Sequence, residues 1–192
     1  MNPVNLNPVN LKPVNLKSLF LQYGINSKTN FDIYDICKDL KLECFICMRD
    51  EIRPPGMRDE IRDFVPVATR IPESMSNERS PDSYESLIFN YQTTSEYGSH
   101  WCCFSNEGYS TKGGPTGLYF DSFGIKPIKE LESRTLKYND TQIQPFETEI
   151  CGILSIYFLY LVTTKNDSSA NKKLEFESII EIMKKEVLKC LQ

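Results

Sequence analysis

Cys151-Gly-Ile-Leu-Ser-Ile-Tyr-Phe-Leu-Tyr-Leu-Val162 is the stretch whose reading decides the fold. It is apolar nearly all round at helical spacing, which predicts a helix buried on every side. Its apolar part from Ile153, interrupted by Ser155, is far short of the roughly 20 residues that cross a bilayer. Downstream, a polar loop from Lys165 to Lys172 leads into a last helix, in which Phe176, Ile179, Ile180, Met183, Val187 and Leu191 share one face. Lys184, Lys185 and Lys189 fall in its C-terminal half, where they suit the helix dipole.

Upstream the sequence reads as strands. Leu87–Tyr91, His100–Phe104 and Gly117–Asp121 are short apolar runs. A Gly/Pro-bearing loop from Ser105 to Pro115 joins the last two into a hairpin-like pair. Earlier still, Phe31, Tyr34, Ile36/Cys37 and Leu40 approximate a helical period, with Asn30 as the expected cap, and Cys44–Met48 reads as a strand. Helix, strands, buried helix, helix is an α+β order. The expected core is a central mixed sheet packed against the buried helix.

The remaining segments are irregular. Asn-Pro-Val-Asn-Leu occurs at 2–6 and 7–11, and Lys-Pro-Val-Asn-Leu at 12–16. A proline every fifth residue blocks helix and strand alike. Residues 1–17 are therefore read as an extended arm, disordered or docking, ahead of a single domain over 18–192. Met48–Arg53 recurs as Met57–Arg62, read as solvated surface, and Pro66–Pro81 as a long loop.

Composition excludes several functions. A net charge of −4 does not favour binding to nucleic acid or an anionic membrane. The N-terminus lacks the pattern of a signal peptide, so the expected setting is inside a cell. Seven cysteines, an odd number, argue against a disulfide scaffold. Cys44 and Cys47 have the spacing of half a zinc site, but the only other close pair is the adjacent Cys102–Cys103. Neighbours on a strand point to opposite faces, so no metal and no cofactor are expected.

One constellation carries chemistry. His100 is the single histidine and precedes the single tryptophan, Trp101. Cys151 opens the buried helix, where the dipole and the first-turn N–H groups favour a thiolate. Gly152 leaves the approach to the sulfur clear of a side chain. Asp121 ends the strand that follows the histidine strand, within reach of the imidazole if the two pair. Gln144, seven residues before Cys151, supplies an amide donor for an oxyanion, with Gln142 as its competitor.

Ser99-His100-Trp101, Tyr119-Phe-Asp-Ser-Phe-Gly124, Gln142-Ile-Gln144 and Cys151-Gly152, in that order, resemble the adenain family of cysteine proteases. These are the adenovirus-type maturation proteases and their virophage and polinton relatives. The order is shared with SUMO- and ubiquitin-like-specific proteases. Phe31–Cys37 and Met48–Glu51 also look like the polinton and virophage branch. The resemblance implies a papain-like core in rearranged order, with His100 as base, Asp121 as its acidic partner, Gln144 at the oxyanion and Cys151 as nucleophile. It also implies a narrow substrate channel beside Trp101, capsid precursors as substrates, and a location in the host cytoplasm, virus factory or virion.

The adenovirus enzyme is basic, DNA-stimulated and activated by a cysteine-bearing peptide. The acidic balance here does not match DNA stimulation, and Cys102 or Cys103 is the candidate receiver of such a peptide. Two alternatives stand beside a maturation protease: a deconjugase for ubiquitin-like modifiers, and an inactive protease-like interaction module.

Overall fold

The computed structural model describes residues 14–52, 86–96, 100–106, 115–164 and 175–192. Most of the N-terminal repeat, the second Met-Arg repeat, the loop 66–81, most of the glycine-rich loop, Ser99 and the loop 165–172 lie outside the described residues.

Two helices come first. Helix α1, Leu16–Tyr23, starts at an Asn15 cap whose side chain accepts from the Ser18 N–H, while the Ser18 hydroxyl accepts from the Asn15 N–H. Leu16 is fully buried, so the folded domain begins inside what the repeat pattern assigned to the arm. Helix α2 is Asn30–Asp39. Its cap is Thr29 rather than the expected Asn30, because Asp32 completes a reciprocal box with Thr29.

The sheet follows, as β1 Phe45–Met48, β2 Ser86–Asn90, β3 Trp101–Ser105 and β4 Gly117–Asp121. A short helix α3, Lys129–Glu132, leads to β5, Thr135–Tyr138. The spatial order is β1-β2-β3-β4-β5. The outer pairs β1–β2 and β4–β5 are parallel, and the inner pairs β2–β3 and β3–β4 antiparallel. The expected hairpin-like pair is thus β3–β4, within a mixed sheet. β5 is half-exposed in alternation, as an edge strand is.

Helices α4, Cys151–Thr164, and α5, Phe176–Cys190, complete the fold. Every residue of α4 from Cys151 to Val162 is buried, as its composition predicts. Successive strand residues alternate faces. Ile46, Ile88, Trp101, Cys103, Leu118 and Phe120 join α1, α2, α4 and α5 in the larger core. Cys47, Leu87, Phe89, Cys102, Phe104 and Tyr119 form a smaller one with Ile52, Ile128 and Leu131. The protein is α+β, with a five-stranded mixed sheet among the described residues and the buried helix against one face.

Candidate active site

Strand pairing brings the first two expected residues together. Cys102 is opposite Asp121 in the β3–β4 register, so His100, just before β3, lies beside the end of β4. Its Nε2 is 2.9 Å from Asp121 Oδ2, with the carboxylate fully buried and the imidazole 11% exposed.

Asp121 is held on all sides. Its Oδ1 accepts from the Phe123 N–H at 2.7 Å, and its Oδ2 also accepts from the Cys102 thiol at 3.2 Å. Its own N–H donates to Asn139 Oδ1 at 3.0 Å, and its carbonyl accepts from Asn139 Nδ2. Asn139 and Cys102 fix Asp121 in place, and neither was singled out for this in the sequence. Asn139 sits in a polar stretch with no motif, and a cysteine inside an apolar strand reads as a small hydrophobe.

The turn after β4 holds the third residue, Gln144, through Ser122. Gly124 has φ +75°, and its N–H closes the turn onto the Asp121 carbonyl at 2.9 Å. A Cβ there would lie 2.7 Å from the Thr141 backbone, so glycine is required on both counts. Ser122 then binds Gln144 twice: its carbonyl accepts the Gln144 N–H at 2.9 Å, and its hydroxyl donates to Gln144 Oε1 at 2.7 Å. Gln144 is buried and its Nε2 donates to the Thr148 carbonyl. Gln142 is exposed and its amide is committed to the Gln144 carbonyl at 2.6 Å.

Cys151 reaches the same end of the sheet through α4. The Ser155 hydroxyl, one turn after Cys151, donates to the Trp101 carbonyl at 3.1 Å, next to His100. The helical ladder opens with Leu154 N–H to Ile150 O, so residues 151–153 present first-turn N–H groups at the thiol's end. Cys151 is near enough to favour the charged imidazole, while the buried Nδ1 of His100 makes no hydrogen bond among the described residues.

Burial is the largest influence on His100 and opposes its charge. The bond to Asp121, with lesser help from the neighbouring Cys102 and Cys151, outweighs it, and the pKa is raised from 6.5 to about 12. Burial above all, helped by the charge of Asp121, raises the Cys102 thiol to about 12 against the pull of His100. Cys102 therefore stays a neutral donor. The ring of His100 lies near two aromatic rings, Tyr91 at 6.1 Å and Phe123 at 4.9 Å between centroids.

Trp101 and Gly152, the residues expected beside the substrate, both lie in the packing around α4. Trp101 is 1% exposed and its Nε1 donates to the Lys28 carbonyl at 2.8 Å, so it is a core residue under α4. Gly152 is buried, and a Cβ there would meet Ile33 Cδ1 at 2.9 Å and Lys28 Cβ at 3.1 Å. Its glycine serves the packing of α2 on α4 rather than access to the sulfur. Cys102 and Cys103 are both fully buried, and neither is placed to receive an external peptide.

The donor atoms of His100, Cys102 and Asp121 lie within 4.8 Å of one another, a set that suits a thiophilic divalent ion. Their mutual hydrogen bonds already account for that closeness. Cys44 packs against the larger core and Cys47 in the smaller, so the half zinc site is split between faces. No described helix is long and apolar enough to cross a membrane.

No protein-family model matches the sequence, and no curated protein matches it.

Proposed function

We propose that the protein is a cysteine endopeptidase with a papain-like core in the adenain arrangement, which trims capsid precursors during virion maturation. The observation that carries the reading is the 2.9 Å bond of His100 Nε2 to the buried Asp121 carboxylate, with the ring's buried Nδ1 left without a hydrogen bond among the described residues and the helix-opening Cys151 near enough to favour its charge. This supports a reading of Cys151 as the activated thiol, His100 as its base and Asp121 as the orienting acid.

His100 takes the proton of the Cys151 thiol, giving an imidazolium–thiolate pair. The sulfur attacks the scissile carbonyl carbon. Negative charge on the carbonyl oxygen is met by the first-turn N–H groups of α4 and by Gln144. The Gln144 amide has two N–H donors, and one is committed to Thr148. The C–N bond then breaks, the leaving amine takes the His100 proton, and a thioester remains. Water, deprotonated by His100, hydrolyses the thioester and restores the pair. Asp121 keeps its charge throughout and holds the ring.

Co-expression with capsid precursors tests this, with new protein termini read by mass spectrometry. Wild type should generate termini that Cys151→Ala does not, with activity reduced by several orders of magnitude. Equal processing by the two proteins sinks the assignment. Cleavage confined to Gly-Gly isopeptide conjugates would shift the reading to a deconjugase.

A further inference from the structure

Phe146 is an apolar ring that is 78% exposed, on the turn between Gln144 and the helix of Cys151. One face of it stacks on Phe123, with centroids 5.7 Å apart and planes 17° apart. Phe123 in turn lies against His100, with centroids 4.9 Å apart and planes 32° apart. The rings form a ladder from solvent to the imidazole.

The turn that carries the outer ring is tied down. The Thr148 N–H and hydroxyl both donate to the Pro145 carbonyl, at 3.1 and 2.8 Å, and Gln144 Nε2 donates to the Thr148 carbonyl. The Ile143 and Gln144 N–H groups both donate to the Ser122 carbonyl. An exposed aromatic on a braced turn presents contact area at low entropic cost.

Which half of a substrate meets this wall follows from the chemistry. His100 hands its proton to the leaving amine, so the substrate residues that follow the scissile bond pass on the imidazole's side of the sulfur. The ladder leans on that imidazole. We propose that Phe123 and Phe146 form the leaving-group subsite and select substrates with an apolar side chain just after the scissile bond. The inference rests on the protease reading above.

A proteome-derived peptide library, digested with wild type, Phe146→Ala, Phe146→Trp and Cys151→Ala, tests it through the residues at the new N-termini. Wild type should favour Leu, Ile, Met or Phe over Gly, Ser or Asp at the first or second position after the cut. Phe146→Ala should reduce that ratio by about tenfold or more, and Phe146→Trp should retain it. A fold defect would slow every cut alike and leave the ratio unmoved. An unchanged ratio in Phe146→Ala, or no apolar preference in wild type, overturns the subsite and leaves the protease standing. New termini no more frequent with wild type than with Cys151→Ala overturn both.

Discussion

At the scale of the residue, His100 sets desolvation against hydrogen bonding. Burial disfavours its charge, and Asp121 leads the interactions that restore it, to a pKa of about 12 against an ordinary 6.5. The folded value is the higher, so the stability linked to this proton is fully present below about pH 6.5 and is lost as pH rises through the folded pKa. Asp121→Asn removes the charged partner and leaves the burial, so the imidazole should become neutral near neutral pH. With one histidine in the protein, its ring nitrogens give one unambiguous set of NMR signals. Wild type should show an imidazolium through mildly alkaline pH, and Asp121→Asn a neutral ring well below that. Closely similar titration in the two proteins would mean that Asp121 does not hold the charge. The four candidate residues could be singled out in the sequence because each belongs to a short motif. Asn139 and Phe146 were not, since a backbone clamp and an exposed stack exist only once β4 and the turn after Gln144 are folded.

At the scale of the element, α4 depends on how closely α2 and the Lys28 loop approach its first turn. A Cβ on Gly152 would lie 2.9 Å from Ile33 Cδ1, a tip with little room to move because Ile33 is fully buried. Gly152→Ala should destabilise the protein by about 1–3 kcal/mol, the usual range for overpacking. Ile33→Val deletes the clashing methyl, so the double variant should be more stable than the two single costs added, by about 1 kcal/mol. Urea denaturation of the four proteins measures that coupling, and strict additivity would place the strain elsewhere, at Lys28.

The elements themselves were unevenly legible. α4, α5 and the inner strands show in the sequence because continuous or periodic apolar runs mark them. α1 was hidden because its cap, Asn15, lies inside the Pro-Val-Asn repeat, although Ser18 three residues later completes the capping signal. β5 was hidden because none of its four residues is buried and its apolar side chains, Leu136 and Tyr138, are exposed, so no core-facing pattern marks Thr135–Tyr138. The parallel pairings at both edges follow from long connections, which local pattern does not encode.

At the scale of the whole molecule, sheet and helices meet through stacked rings. Phe158, on α4 and fully buried, stacks on Phe120 of β4 with centroids 4.9 Å apart and planes 12° apart. It also meets Phe176 of α5 edge-on at 6.1 Å. Removing this ring opens a cavity where the three elements join, and Phe158→Ala should cost about 3–5 kcal/mol. A domain has about 5–15 kcal/mol in total, so the variant should unfold at much lower denaturant. Trp101 is the single tryptophan and lies between the sheet and α4, so its fluorescence reports their contact, while far-UV circular dichroism follows the helices. If one cooperative core joins them, both transitions should move together and by the same amount. A fluorescence transition that separates from the dichroism would show the sheet and helical layer parting before the helices melt. His100 and Asp121 would then be carried on one unit and Cys151 on the other, and alkylation of Cys151 should track the fluorescence rather than the dichroism.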